Sequence, residues 1–179
     1  MKFNKVASAL ILSMGMVAFG ANAADQGSGS VTFTGSIIDA PCSIAPDSVD
    51  QEVSLGQVAK NALMGGGKST PAHFDIKLEN CVLSADEAAK NTVTLTFNGA
   101  AADAAKNLLK IEGTAAGAGV GITDPNGNQV TLGKATDAIA LTNAATNTLD
   151  LYGFLEGMDD DKLTEGSYQA ISHFTMDYQ

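Results

Sequence analysis

Apolar and polar residues alternate with a period of two in several short stretches of the chain, and segments rich in glycine, alanine and asparagine separate these stretches. Successive side chains of a β-strand point to opposite faces, so this alternation is typical of half-buried strands. It predicts strands over residues 30–38, 73–78, 92–97, 120–123, 129–132 and 148–155, and a last one from residue 166 to the C-terminus.

The segments between these stretches contain residues that favour turns. Asp124-Pro125-Asn126-Gly127 lies between two predicted strands and predicts a tight turn. Residues 84–90 favour one short helix, because Ala, Glu and Lys are good helix formers. Many short strands joined by glycine and asparagine turns indicate an all-β sandwich. No internal repeat or hinge divides it, which predicts a single folded domain.

The N-terminus has the pattern of an export signal. Lys2 and Lys5 precede an apolar run from Val6 to Phe19, and the small residues of Ala21-Asn22-Ala23 follow. A basic start, an apolar run and an A-x-A site predict a secretory signal peptide over residues 1–23. A membrane anchor is the alternative, but the run is shorter than the roughly 20 apolar residues that span a bilayer.

Composition narrows the chemistry of the exported chain. Cys42 and Cys81 are the only cysteines, and in an oxidising compartment they most simply form one disulfide. Two cysteines without a nearby histidine cannot complete a four-ligand metal site. The formal net charge is −10, so a nucleic acid would be repelled and is not expected as a partner.

Motifs for catalysis or cofactor binding are incomplete. Gly67-Lys68-Ser69 resembles the end of a phosphate-binding loop, but Ala62 stands where that pattern needs glycine. His73 and His173 are the only histidines, and neither lies in a catalytic or metal-ligand pattern. The run Asp159-Asp160-Asp161 lacks the spaced ligands of a calcium loop. We therefore expect no enzyme activity, no catalytic residue, no metal and no cofactor.

Each end of the exported chain carries an apolar strand face. By the period-two rule, the first face consists of Val31, Phe33, Gly35 and Ile37. The second consists of Tyr168, Ala170, Ser172, Phe174, Met176 and Tyr178. We expect no further strand after the last one, so a strand that completes the sandwich beside it would have to come from another chain.

These features resemble those of the chaperone–usher pilins. Gly166 stands fourteenth from the C-terminus and Tyr178 is penultimate, which is similar to the C-terminal signature of that family. Residues 33–44, 49–58 and 74–81 are similar to segments of the major rod subunits of P and type 1 pili. The resemblance covers essentially the whole exported chain.

The resemblance implies both a fold and a mechanism. The fold is an all-β, incomplete immunoglobulin-like sandwich that lacks its final strand and is completed by a donor strand from a neighbouring subunit. A periplasmic chaperone first lends a strand, and at the outer-membrane usher the N-terminal extension of the next subunit replaces it. The implied function is a structural subunit of a bacterial surface fimbria used in adhesion, exported through the periplasm and polymerised by donor-strand exchange.

Carried over onto this sequence, the family divides the chain into a signal peptide (1–23), a donor-strand extension (24–39) and a pilin domain (40–179). The donor residues would be Val31, Phe33, Gly35 and Ile37, with Gly35 as the small residue that lets the donor seat in a crowded part of the groove. The strand that meets the chaperone and lines the groove would include Gly166, Tyr168, Phe174, Met176 and Tyr178.

Two alternatives to a repeated rod subunit remain open from the sequence. One is a minor tip or adaptor pilin of the same system, and the other is a secreted β-sandwich binding module. A secreted hydrolase is a more distant possibility, and a tip adhesin with its own lectin domain would need a much longer chain.

Overall fold

The computed structural model describes residues 29–83, 91–103 and 106–179. The chain divides into two units, Met1–Ile37 and Ile38–Gln179. In the first unit the described residues, 29–37, have no regular secondary structure and are exposed, so the strand predicted over 30–38 is not formed in this chain. The predicted signal peptide and the predicted helix over 84–90 lie outside the described residues.

The second unit consists almost entirely of short strands. The strands are β1 (Ser43–Ile44), β2 (Ala72–Glu79), β3 (Thr92–Asn98), β4 (Ala101–Asp103), β5 (Leu108–Lys110), β6 (Glu112–Gly113), β7 (Ala118–Thr123), β8 (Ile139–Ala140), β9 (Thr146–Gly157), β10 (Tyr168–Gln169) and β11 (His173–Tyr178). The helices are α1 (Lys60–Leu63) and two 3-10 turns, Pro46–Ser48 and Met64–Gly66. None of the helices within the described residues is long and apolar enough to cross a membrane.

The strands form a sandwich of two main sheets. One sheet has six strands in the order β1-β2-β9-β7-β5-β4, and the other has the order β11-β3-β8. A separate two-stranded ribbon joins β10 to β6. All of these neighbours pair antiparallel. The fold class is therefore the β-sandwich that the alternation predicts.

The core lies between the two main sheets. Strands β2 and β9 supply Ile76, Leu78, Leu149 and Leu151, and β3 supplies Val93, Leu95 and Phe97, all of them buried. A second buried cluster lies at one end of the sandwich and consists of Leu63, Ile111, Ala118, Leu155 and Leu163. Fully burying one such aliphatic side chain contributes about 1.5–3 kcal/mol, so these clusters supply most of the drive to fold.

The strands predicted over 73–78, 92–97, 120–123 and 148–155 are confirmed as β2, β3, β7 and β9. The strand predicted over 129–132 is wrong. It forms only a bridge from Gln129 to Thr123 and a hydrogen bond from Val130 N to Ile122 O of 2.9 Å. The predicted turn is present, and its buried Asp124 carboxylate accepts hydrogen bonds from the backbone N of Asn126 and of Asn128.

The disulfide predicted from the cysteine pair is confirmed. Cys42 and Cys81 are bonded and are 39 residues apart in the sequence. The bond joins the start of the second unit to the end of β2, and Val82 N donates to Pro41 O at 2.8 Å beside it. It therefore fixes the point from which the chain enters β1.

Candidate functional site

A long apolar groove runs along the second unit. Its volume is about 1390 Å³. Two chain segments line its sides, residues 49–58 (the N-terminal wall) and residues 164–174 (the C-terminal wall). Between the walls lie core side chains of both clusters, among them Ile76, Phe97, Leu109, Ile111, Val120, Ile122 and Leu155. The sandwich is thus open along one side, where its own core residues form the floor.

The C-terminal wall shows the alternation that the sequence predicts. Tyr168, Ala170, Ser172 and Phe174 are half-buried, and the residues between them are exposed. Met176 and Tyr178 continue the same face along β11 beyond the lining of the groove and pack on the main core. Half-burial is the expected state of inward side chains beside a groove, because only one side of each is covered.

Strand β11, which begins at the end of this wall, has an unpaired edge. Strand β11 pairs with β3 over its whole length, from His173 opposite Asn98 to Tyr178 opposite Val93. It is the edge strand of its sheet, and among the described residues no strand pairs with its other side. An edge of this kind presents unpaired N–H and C=O groups to which another strand can bond.

Gly166 begins this wall at a place where no side chain fits. Its φ is +153°, and a Cβ atom there would overlap Thr114 Oγ1 and the backbone of Ala115. The contact is held by hydrogen bonds from Ser167 N to Thr114 Oγ1 (3.0 Å) and from Thr114 N to Ser167 O (2.9 Å). The structure therefore gives Gly166 a role in starting the wall.

The N-terminal wall was not assigned a function by the sequence reasoning, although the alternation of Val53 and Leu55 was a usable signal. Val53, Leu55 and Val58 are half-buried and line the groove. Within the described residues, the backbone of 49–58 pairs with no strand. The groove thus lies between one segment that pairs with no described strand and one whose strands, β10 and β11, each pair on a single side, which is the arrangement that an inserted strand would complete.

The candidate donor residues lie in the other unit. The side chains of Val31, Phe33 and Ile37 are 77%, 91% and 104% exposed. No atom lies within 4 Å of the position that a Cβ on Gly35 would occupy. Nothing within the described chain therefore requires glycine at this position.

The polar candidates from the sequence are engaged in surface contacts. His73 Nε2 lies 2.8 Å from Asp150 Oδ1. Asp159 pairs with Lys162 at 2.9 Å, and this hydrogen bond lowers the pKa of Asp159 and raises that of Lys162. Among the described residues, no group of three or more His, Cys, Asp or Glu side chains could hold a metal ion.

The strand predicted from residue 166 to the C-terminus is divided into β10 and β11, and burial affects one tyrosine in each of them. This burial raises the pKa of Tyr168 and of Tyr178. The hydroxyl of Tyr178 is buried and has no hydrogen-bond partner within the described residues. These rings therefore favour their neutral form and act mainly as apolar surface.

Comparison with known proteins identifies relatives that are similar along the length of the sequence. The model of the family described as "Fimbrial protein" matches residues 31–179. The chain is 50% identical to the fimbria A protein of Serratia marcescens, with all of both chains covered. It is 43% identical to the major MR/P fimbria protein of Proteus mirabilis (strain HI4320), again over all of both chains.

The chain is also similar to a solved structure of a chaperone–usher pilus. That structure concerns the molecular basis of the uncoiling of the pilus rod. Its chain superposes with a TM-score of 0.74 at 33% identity, covering 86% of this chain and 97% of that one.

Proposed function

This chain belongs to the fimbrial protein family and is a structural subunit of a bacterial surface fimbria, and we propose that it polymerises by donor-strand exchange. In this reaction the N-terminal extension of one subunit enters the groove of the next. The observation that carries the proposal is the groove between the N-terminal and C-terminal walls, whose floor is the core of the sandwich itself.

The groove and the extension have complementary surfaces. The groove offers an apolar floor, and the unpaired edge of β11 begins at its end. The extension offers the exposed side chains of Val31, Phe33 and Ile37, which would share one face if these residues formed a strand. In strand addition, main-chain hydrogen bonds supply affinity and alternate side chains fill pockets. The strand pattern over residues 30–38 would then be realised in the neighbouring subunit, which explains why it forms no strand here.

Gly35 fits this assignment. A glycine inside a strand costs backbone entropy and packing, so it needs a reason. Because no atom of the described chain approaches it, we infer that the reason lies in the partner. In the groove of the next subunit, a side chain at this position would meet the floor or a wall.

We further propose that a periplasmic chaperone occupies the groove before assembly and that an outer-membrane usher catalyses the exchange. An open groove exposes apolar surface and an unpaired strand edge, which invites aggregation. The segment assignment follows: an export signal over 1–23, a donor extension over 24–39 and a pilin domain over 40–179. The C-terminal wall residues Gly166, Tyr168 and Phe174, with Met176 and Tyr178 beyond them, would meet the chaperone. No catalytic role is proposed for any residue.

A repeated rod subunit is favoured over a minor adaptor. The relative from Proteus mirabilis, covered over its full length, is named as a major fimbria protein. The solved pilus structure that superposes on the chain concerns a pilus rod. A head-to-tail contact that does not close on itself builds an open filament, which suits a repeated subunit. A self-contained binding module would need a closed sandwich, whereas this one is open along its groove.

The proposal can be tested with variants that alter one face of the extension. Phe33→Asp combined with Ile37→Asp places charges on the donor face, and Thr34→Asp combined with Ser36→Asp places the same charges on the opposite face. The donor-face variant should accept a fluorescent peptide of residues 27–39 in its groove but form no SDS-resistant polymer. The opposite-face control should polymerise. Polymerisation of the donor-face variant at the wild-type rate, or failure of the peptide to bind, would contradict donor-strand exchange.

A further inference from the structure

The N-terminal wall is attached to the sandwich by side chains at its two ends. At the front, Gln51 Nε2 donates to the backbone O of Asp75 at 2.7 Å and to Ser48 O at 3.3 Å. At the rear, the carboxylate of Asp160 accepts the N–H of Gly65, with its two oxygens 2.9 and 3.0 Å from that nitrogen. The first contact lies within the wall near its start, and the second lies beyond its end, at Gly65.

The front contact ends a series along the edge of β2. Strand β1 pairs with the last two residues of β2, and Ala45 N then donates to Lys77 O at 2.9 Å. Ser48 Oγ accepts the N–H of Lys77 at 3.0 Å, and Gln51 follows at Asp75. The Gln51 amide thus bonds where the N–H of a paired strand would otherwise bond. Beyond it the chain leaves the sheet and becomes the groove wall.

The rear contact is part of a tightly packed corner. Gly65 has a φ of +66°, so its N–H is turned toward the loop that contains Asp160. Leu63, two residues earlier, is buried in the second core cluster. A Cβ on Gly157 would overlap the backbone O of Leu63. The chain therefore cannot shift at this end without breaking the corner.

Between the two ends the wall is held only by apolar packing. The hydrogen bond from Gly56 N to Ser54 Oγ is local, and in the described parts of the chain no backbone bond joins residues 52–58 to a strand. We propose that Gln51 and Asp160 are positioning residues that hold this wall in place along the groove. The inserted donor can then bond to both walls. This inference rests on the proposed function and adds the residues that preorganise the groove.

The test is hydrogen exchange on the full exported chain, refolded with and without an excess of a synthetic peptide of residues 27–39. In the wild type, amides of residues 52–58 should gain protection when the peptide binds. Gln51→Ala, Gln51→Glu and Asp160→Ala should each lower that protection about three- to tenfold, the effect of losing one hydrogen bond. The amides of β3 should be unchanged. Gln51→Glu keeps the size of the side chain but has no N–H to donate.

Matched controls lie near the same two segments. Asn61→Ala and Asp161→Ala remove an amide and a carboxylate side chain that make no hydrogen bond within the described residues and do not line the groove, and both should leave protection at the wild-type value. Unchanged protection of residues 52–58 in the Gln51 and Asp160 variants would overturn the inference. An equal loss in β3 would also overturn it, because the two residues would then contribute only to general stability. If the wild-type wall gains no protection with the peptide, the proposed function fails and this inference fails with it.

Discussion

The α-carbon of Gly166 faces Thr114 so closely that a single added methyl group would overlap the threonine hydroxyl oxygen. The two chain segments are joined there by hydrogen bonds between Thr114 and Ser167 in both directions. This contact begins the wall that carries Tyr168 and Phe174 along the groove. A glycine in the sequence signature of the C-terminus thus has a structural reason within the subunit itself.

Gly166→Ala should therefore destabilise the subunit. Overpacking at a tight contact costs about 1–3 kcal/mol, and the positive φ adds strain to any L-residue. Urea unfolding of the peptide-complemented chain measures the loss. Gly35→Ala is the control, because its methyl group would meet no atom within the described residues. Equal stability of the two variants would mean that the segment near Thr114 relaxes freely.

Gly35→Leu should separate folding from assembly. A Cβ at this position meets no atom of the described chain, so stability and binding to the chaperone should equal those of the wild type. In the groove of the next subunit it should clash, and SDS-resistant polymer should form about 5- to 150-fold more slowly, given an overpacking cost of about 1–3 kcal/mol. Thr34→Leu places the same side chain on the opposite strand face and should assemble normally. Assembly of Gly35→Leu at the wild-type rate would remove Gly35 from the donor face.

Replacing both cysteines with serine should weaken the subunit strongly. The chain-entropy model for a disulfide that closes a loop of 39 residues gives about 4 kcal/mol of stabilisation. Urea unfolding of Cys42→Ser combined with Cys81→Ser, compared with the oxidised wild type, measures this difference. Reduced wild type should unfold at the same urea concentration as the double variant. A reduced wild type as stable as the oxidised one would show that the bond contributes little.

Tyr178→Phe should leave stability unchanged or raise it by about 1 kcal/mol, because it removes a buried hydroxyl that has no partner within the described residues. It should also reduce the loss of folding stability that occurs as the pH rises above about 10. Burial raises the pKa of Tyr178 above the ordinary value of 10.0, so the folded state keeps its proton longer than the unfolded state. The contribution is complete below pH 10 and is lost as the pH rises through the raised pKa.

Thermal unfolding of wild type and Tyr178→Phe between pH 8 and about 11.5 checks this prediction. Tyr152→Phe, a change at an exposed ring, is the control and should follow the wild type. A marked loss of stability in Tyr178→Phe at neutral pH would show that the hydroxyl has a partner in solution.

The main strands could be predicted from the sequence because each buries one face against the core. In β9, Leu149 and Leu151 are buried while the neighbouring Thr148 and Asp150 are exposed, so the alternation in the sequence follows the burial of the side chains. The segment 129–132 has a similar alternation but forms no strand. Asp124 closes the preceding turn. After Val130 the chain turns away, and its backbone forms hydrogen bonds to β3, from Gly133 N to Phe97 O and from Thr136 N to Leu95 O. The local alternation of residues does not contain the information for these long-range hydrogen bonds.

The site could be predicted only in part. The face from Tyr168 to Phe174 follows from alternation, because it is half-buried in this chain. The alternation of Val53 and Leu55 hints at the N-terminal wall, but its attachment could not be predicted, because that depends on Gln51 reaching a carbonyl 24 residues away. Residues 30–38 do alternate between apolar and polar side chains, but the described residues of this segment form no strand in this chain. Under the proposed mechanism its partner belongs to another molecule.

The groove also gives the proposed fibre a direction. Each subunit has one groove and one extension, so a finished row of subunits has one unfilled groove at its leading end and one unused extension at its trailing end. The two ends are chemically different. At an assembly site that adds subunits in one way, the fibre can therefore grow at only one of its ends. A subunit whose own groove cannot accept an extension would end the row, whereas one without an extension could only begin it. The length of the fibre would then depend on the ratio of such subunits to the repeated one.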